Sequence, residues 1–215
     1  MGRYAIIAVL NKYVFRVFAE REKERHKDMS KKTYKMNIAG LDRELILCPL
    51  NENLSIAGFI MFGDTELTTA CAEALLKKAP EYDYILTAEA KGIPLAHEMS
   101  RLDGNRRYCL ARKKAKLYMT DPVEVNVRSI TTAGEQNLIL DGADAALMKG
   151  SRILIVDDVI STGESLAALE KLCEAVGGNV VGKMTVLAEG DAAKRDDIIY
   201  LEYLPLFTPD GNAIA

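Results

Sequence analysis

The stretch from Ile153 to Ser165 constrains the fold of this chain more than any other part of it. It opens with four apolar residues, Ile153 to Val156, which is the pattern of a parallel strand buried on both faces. Asp157 and Asp158 follow directly, and a turn of small residues then leads into a helical pattern. Because open α/β sheets bind ligands at the carboxyl ends of their strands, this acid pair marks a candidate site.

The turn after the acid pair has the chemistry of a phosphate site. A helix that begins on such a turn presents unpaired backbone N–H groups and the positive end of its dipole to an anion. The neighbouring carboxylates can accept hydrogen bonds from sugar hydroxyls, so the pattern predicts a phosphorylated sugar as the ligand. An ordinary strand–turn–helix unit with a capping hydroxyl is the alternative, but it explains neither the paired carboxylates nor the hydroxyls that flank Gly163.

The same thirteen residues resemble the binding signature of type I phosphoribosyltransferases. In that family the acid pair binds the ribose hydroxyls of phosphoribosyl pyrophosphate (PRPP), and the following turn wraps the 5′-phosphate. The resemblance implies that Asp157 and Asp158 hold the ribose and are catalytic. It gives the phosphate to five consecutive residues: Ser161, Thr162, Gly163, Glu164 and Ser165.

A second candidate site runs from Thr87 to Pro94, where a predicted strand ends in a turn of small residues with one cation. Turn amides and a lysine can hold pyrophosphate, whose charge grows as a glycosidic bond breaks. A βα turn with a solvent-facing lysine would look the same. The segment resembles the pyrophosphate loop of purine phosphoribosyltransferases, which is often Glu-Ala-Arg-Gly in adenine enzymes. The resemblance implies a pyrophosphate loop of Glu89, Ala90, Lys91 and Gly92, with Lys91 catalytic.

A third feature is a basic run after a predicted strand, made of Arg112, Lys113, Lys114 and Lys116. Four cations in five residues repel one another and gain from a polyanionic partner, although a solvated surface loop is the alternative. The connection continues to about Gln136, which is long for a structureless loop, so we predict an active-site lid. The run resembles the mobile basic loop of adenine phosphoribosyltransferases, and the resemblance implies that these four residues contact pyrophosphate.

The base pocket is the least determined part of the predicted site. Adenine enzymes usually carry a purine-facing glutamate where this chain has Thr131, and hypoxanthine–guanine enzymes carry an aspartate where it has Ser161. Phe59 and Thr131 are the predicted base contacts, with Phe59 stacking on a purine or else filling the core. Adenine is the expected base, and xanthine or hypoxanthine/guanine are the alternatives.

Composition agrees with a single soluble domain. The 215 residues are 49% hydrophobic and 27% charged, and the net charge of −3 gives no general attraction to nucleic acid or anionic membranes. The cysteines are far apart and lack a CxxC pair, so buried free thiols in a reducing cytoplasm are expected: Cys48, Cys71, Cys109 and Cys173. The two histidines lack ligand spacing, and we expect no metal site made by protein side chains alone.

Residues 1–32 are predicted to form a helical extension. Their apolar residues recur at helical spacing, and polar residues interrupt them well short of a membrane span, so no membrane partner is expected. The apolar stripe is expected to pack on the body or on a second subunit, as in a homodimer. The mixed charges from Glu20 to Lys35 are typical of a solvated helix end; nucleic acid is the alternative partner, which we do not expect.

Together these patterns predict an α/β type I phosphoribosyltransferase fold over residues 33–215. A mostly parallel central sheet would be flanked by helices, and a small hood would come from residues 33–62 and 198–215. The implied activity is purine salvage in the cytoplasm: a purine base and PRPP give the nucleotide and pyrophosphate, with Mg²⁺ bridging the pyrophosphate. A non-catalytic, PRPP-sensing regulator of purine genes is the alternative from another class.

Overall fold

The computed structural model describes residues 32–128 and 135–214. Almost all of the predicted N-terminal helix, and Thr131, lie outside these ranges. The strands of the described part are β1 (Thr33–Ile38), β2 (Leu41–Pro49), β3 (Ser55–Gly58), β4 (Tyr84–Ala88), β5 (Tyr108–Ala111), β6 (Val123–Arg128), β7 (Glu135–Leu140), β8 (Arg152–Ile160), β9 (Asn179–Glu189), β10 (Ile199–Leu204), β11 (Leu206–Phe207) and β12 (Ala213–Ile214). Its α-helices are α1 (Thr65–Leu76), α2 (Ile93–Leu102), α3 (Gly142–Met148) and α4 (Glu164–Ala175), and a 3-10 helix spans Gly190–Lys194.

Five parallel strands form the central sheet in the order β10-β9-β8-β4-β5. The strand predicted from Ile153–Val156 is its middle strand, β8, and all four of those residues are at most 1% exposed. Leu154 and Val156 pack with α1 and α2 on one face of the sheet, whereas Ile153 and Ile155 pack with α4 on the other. The prediction of a strand covered on both faces is therefore confirmed. The acid pair lies near the carboxyl end of the middle strand of the sheet.

The helix boundaries follow from local chemistry. Asp64 caps α1 by accepting a hydrogen bond from the Leu67 amide at 3.1 Å. Pro94 lies in the first turn of α2, where its missing N–H costs nothing. Arg43 of β2 binds the same Asp64 carboxylate at 2.7 Å, and so fastens β2 to the start of α1.

A second sheet joins two distant parts of the chain in the order β1-β2-β3-β11-β12. Its first three strands come from residues 33–58 and its last two from residues 206–214, and Phe207 pairs with Ser55 where they meet. Phe207 is fully buried and its ring lies 4.9 Å from that of Tyr34. This sheet sits on the core that the central sheet shares with α1 and α2.

The segment after the basic run contains a hairpin. Strands β6 and β7 pair antiparallel, and Arg112 forms a further bridge with Ile139 through two backbone hydrogen bonds of 2.8 and 2.7 Å. Apolar residues of the hairpin, among them Leu138 and Leu140, pack in the same core cluster as α4. The later part of the predicted lid segment, residues 123–128 and 135–136, therefore belongs to strands β6 and β7.

The four cysteines are unpaired, but the expectation that all are buried is wrong for Cys48, which is exposed on β2. None of the helices within residues 32–128 and 135–214 has the length and hydropathy that a membrane crossing requires.

Candidate active site

A cavity of about 670 Å³ lies where the carboxyl ends of β4 and β8 meet. Its floor comes from the acid pair and the turns after these two strands, and its roof comes from β3 and the residues that follow it. The residues that line it are Ile56, Ala57, Gly58, Phe59, Ile60, Ala88, Glu89, Ala90, Lys91, Lys113, Leu138, Asp157, Asp158, Val159, Ser161, Ser165 and Glu189. In the sequence, the candidate site residues are on separate turns. The parallel sheet brings these turns together at the opening of this cavity.

The two carboxylates of the acid pair have different surroundings. Asp158 is 2% exposed, and its Oδ2 lies 2.7 Å from Lys91 Nζ. Asp157 is half-buried, and its Oδ1 accepts a hydrogen bond from the Asp158 amide at 2.9 Å. Burial and the neighbouring Asp158 charge raise the pKa of Asp157 to about 7. The site therefore combines one carboxylate paired with a cation and one whose ionisation is suppressed.

The turn between β8 and α4 carries the predicted phosphate site. Gly163 has φ of +79°, a left-handed conformation that residues with a Cβ rarely adopt, and none of the side chains that the structure describes caps α4. The Glu164 amide is 3.5 Å from Thr162 Oγ1. Amides at an uncapped helix start form an anion site. Of the five residues predicted here, Ser161 and Ser165 line the cavity, whereas Thr162, Gly163 and Glu164 do not.

Arg195 lies close to the same turn, and sequence reasoning did not select it. A Cβ added to Gly163 would lie 2.7 Å from Arg195 Nη1. This guanidinium donates hydrogen bonds of 2.8 and 2.7 Å from Nε and Nη2 to the Asp197 carboxylate. A cation beside an uncapped helix start adds to the attraction for an anion.

The turn after β4 is packed tightly against the acid pair. A Cβ on Gly92 would collide with Thr87 Oγ1 and would lie 3.0 Å from Asp157 Oδ1. Only glycine fits there, so the predicted loop can lie directly against Asp157. Glu89, Ala90 and Lys91 all line the cavity.

The four basic residues after β5 are in different positions. Lys113 lines the cavity, Lys114 is exposed, and Lys116 is half-buried. Arg112 lies 3.2 Å from Glu89 Oε2 and donates a 2.9 Å hydrogen bond to the Tyr118 hydroxyl. Of the four predicted pyrophosphate contacts, Lys113 therefore lines the cavity, whereas Arg112 contacts other protein groups.

The roof of the cavity is apolar. Phe59 is 3% exposed and lines it beside Ile56 and Ala57. Glu189, at the end of β9, also faces the cavity, and burial raises the pKa of its carboxyl. Sequence reasoning missed Glu189, although its place at the end of a predicted strand was a usable signal. Thr131, the other predicted base contact, lies outside the described residues.

Among residues 32–128 and 135–214, no group of three or more His, Cys, Asp or Glu side chains is arranged to hold a metal ion.

Comparison with known proteins identifies the family. The profile of the phosphoribosyl transferase domain matches residues 65–208, which hold both sheet-end turns and the basic segment. The chain belongs to the phosphoribosyl transferase domain family. All of its cavity-lining residues except those of the roof lie within this match.

Relatives of this chain include proteins named hypoxanthine/guanine phosphoribosyltransferase. The one from Methanocella arvoryzae is 33% identical over 130 residues, 60% of this chain and 64% of that protein. The one from Methanococcus voltae is 32% identical over 138 residues, 64% of this chain and 70% of that protein. The match to the first thus spans less than two thirds of its length.

Solved structures that share the fold include adenine phosphoribosyltransferases. The enzyme from Rhodothermus marinus superposes with a TM-score of 0.60 at 22% identity, covering 74% of this chain and 94% of that one. The enzyme from Thermoanaerobacter pseudethanolicus gives a TM-score of 0.57 at 24% identity, covering 66% and 84%. At these identities the likeness shows the fold alone, and it confirms the predicted type I phosphoribosyltransferase fold.

Proposed function

We propose that this protein transfers the phosphoribosyl group of PRPP to a purine base. The observation that carries the proposal is the single cavity that joins the acid pair, the start of α4 and the Lys91 turn beneath an apolar roof. A phosphorylated sugar with a pyrophosphate group needs acceptors for hydroxyls and two anion sites within reach of one another. The roof offers apolar surface to a flat base.

Different residues of the site bind different parts of the substrate. Asp157 and Asp158 accept hydrogen bonds from the ribose hydroxyls, and the amides at the start of α4 bind the 5′-phosphate with Ser161 and Ser165. Lys91 and Lys113 bind the pyrophosphate. The bond from the anomeric carbon to the pyrophosphate oxygen breaks, the bond to a purine ring nitrogen forms, and the base gives up its proton.

Two electrostatic effects favour that step. The carboxylates lie where the sugar ring gains positive charge, while the lysines lie where the leaving pyrophosphate gains negative charge. Closure of the basic segment would exclude water, which would otherwise capture the sugar. The ion pair between Lys91 and Asp158 must open when each side chain takes its substrate partner.

Mg²⁺ is the proposed cofactor. Magnesium is usually held by one or two carboxylates together with substrate phosphates, rather than by a cage of protein ligands. The half-buried Asp157 carboxylate at the cavity fits this donor set, and PRPP would supply the remaining oxygens. When bound, the ion neutralises charge on the pyrophosphate.

The choice of base rests on fewer observations. The curated relatives are named for hypoxanthine and guanine, and the solved structures for adenine. Because the latter similarity concerns the fold alone, sequence similarity favours a 6-oxopurine, and adenine stays a prediction. A wrong base would leave buried polar groups of the site without hydrogen-bond partners. The site should therefore discriminate strongly between purine bases, whichever edge of the base it contacts.

The test is turnover with PRPP, Mg²⁺ and each of adenine, hypoxanthine, guanine and xanthine, measured as nucleotide formed. We expect one or two bases to be used well and the others poorly. No nucleotide from any of the four would overturn the proposal. PRPP binding by calorimetry without turnover would instead favour a PRPP-sensing regulator.

A further inference from the structure

We propose that Glu89 is a positioning residue that fastens the basic segment to the Lys91 turn, and that it is not itself a pyrophosphate ligand. The inference rests on the proposed function, since it concerns how the pyrophosphate end of that site is assembled. It changes the role that resemblance assigns to Glu89 and Arg112.

Both carboxylate oxygens of Glu89 are used within the protein. Oε1 accepts a hydrogen bond of 2.7 Å from the Lys113 amide, and Oε2 lies 3.2 Å from Arg112 Nη2. The Glu89 amide donates in turn to the Ala111 carbonyl at 2.9 Å. The last residue of β5, Ala111, and the two residues after it are thus held by one residue after β4.

Arg112 extends this connection to the hairpin. Its Nη1 donates to the Tyr118 hydroxyl at 2.9 Å, and its backbone exchanges two hydrogen bonds with Ile139 of β7. Glu89, the basic segment and β7 therefore meet at one side chain. Tyr118 follows the three lysines in the chain. Arg112 therefore contacts Glu89 in the turn after β4 and also a tyrosine beyond the lysines.

The charges fit a positioning role better than direct binding. A free carboxylate at a pyrophosphate site would repel the ligand, because both are anions. With the guanidinium and an amide on its two oxygens, Glu89 presents little unpaired charge. The side chains of Glu89 and Arg112 are only 20% and 25% exposed, so solvent weakens this pair less than a surface pair. The cation of this group that lines the cavity is Lys113, and its backbone amide donates a hydrogen bond to Glu89.

The first test compares Glu89→Ala, Glu89→Gln, Arg112→Ala and the double variant Glu89→Ala/Arg112→Ala. Glu89→Ala should raise the KM for PRPP about tenfold, the size of one lost hydrogen bond to a charged group, and change kcat by less than about threefold. Glu89→Gln keeps an oxygen for the Lys113 amide, so it should recover part of the loss. Because both residues act through one contact, the double variant should be no worse than the worse single variant. Glu174→Gln, an exposed change on α4, is the matched control.

Direct binding predicts the opposite pattern. If Glu89 and Arg112 each contacted the substrate, their effects on KM would multiply in the double variant, and that result would overturn the positioning role. Equal loss in Glu89→Gln and Glu89→Ala together with multiplied effects would do the same.

A second measurement does not depend on turnover. The Lys113 amide should exchange with solvent deuterium about tenfold faster in Glu89→Ala than in wild type, and at the wild-type rate in Glu174→Gln. Unchanged exchange at Lys113 would refute the contact even if the enzyme is active. Faster exchange in a protein that uses no base with PRPP would uphold the contact while the proposed function fails.

Discussion

Lys91 Nζ and Asp158 Oδ2 are joined at 2.7 Å across the cavity, yet the two side chains belong to opposite ends of the proposed substrate. The two side chains differ in solvent exposure, since that of Lys91 is 48% exposed and that of Asp158 is 3% exposed. Removal of the lysine would therefore leave a nearly buried carboxylate without its cation, whereas removal of the aspartate would leave a lysine that water can reach.

Lys91→Met should lower the free energy of unfolding by about 1–3 kcal/mol, the cost of an unpaired buried polar group. The double variant Lys91→Met/Asp158→Asn should regain most of that stability in urea denaturation at pH 7. It should not regain kcat/KM, which we expect to fall about 10- to 150-fold in either single variant. Recovery of activity along with stability would show that neither side chain contacts substrate.

Asp157→Asn should make stability less sensitive to pH. The pKa of Asp157 is about 7 in the folded protein and near 3.8 when unperturbed, so the unfolded chain loses this proton at lower pH. Ionisation therefore reduces stability as pH rises from about 4 to 7. At pH 8 the variant should be more stable than wild type by on the order of 1 kcal/mol or more, and at pH 4 the difference should vanish.

Thermal melts at several pH values measure this effect, with the exposed Asp210→Asn as a control that should follow wild type. A gain of equal size at pH 4 and pH 8 would contradict the raised pKa. In the same variant kcat/KM with PRPP should fall about 10- to 150-fold, because an acceptor for a ribose hydroxyl is weakened.

Gly92→Ala should damage both stability and the site. The new Cβ would collide with Thr87 Oγ1 and lie 3.3 Å from Asp157 Cα, so the buried Thr87 side chain or the loop itself must move. We expect a loss of about 1–3 kcal/mol in urea denaturation, typical of overpacking. Gly58→Ala serves as the stability control, since its Cβ would have no neighbour closer than 3.5 Å. Equal stability of the two variants would be inconsistent with this packing.

Replacement of Lys113, Lys114 and Lys116 by glutamine should raise the KM for PRPP and leave the melting temperature within a few degrees of wild type. Exposed charges contribute little to folding, but they attract a polyanion. A matched triple variant at exposed lysines outside the cavity, with glutamine at Lys77, Lys149 and Lys171, should change neither quantity. PRPP should also slow proteolysis between residues 112 and 136, and equal cleavage rates with and without it would argue against a lid.

The sequence predicted the central elements because their signals are local and strong. The apolar run that predicts β8 depends on neighbours within a few residues, and the structure confirms that strand. The positions of Asp157, Asp158 and Lys91 at one opening followed from a single topological rule, that parallel strands end at the same edge of a sheet.

The rest depended on contacts between distant residues. Hairpin strand β6 has alternating valines at Val123, Val125 and Val127, a strand pattern that the nearby basic run obscured. Pairing of Arg112 with Glu89, and the approach of Arg195 to Gly163, join residues more than twenty positions apart. Neither contact has a sequence pattern, because packing of the turns after β4, β5 and β9 creates them.

The pairing of Phe207 with Ser55 has a consequence for the order in which this protein matures during synthesis. Strands β4, β5, β8 and β9 precede β11 in the chain, so the floor of the cavity can assemble on a growing polypeptide before its roof is anchored. A nascent chain that ends near residue 205 would have the groups proposed to hold PRPP but would lack the strands that complete the second sheet. Acquisition of the sugar phosphate site and of the base site would then be separate events, ordered by translation.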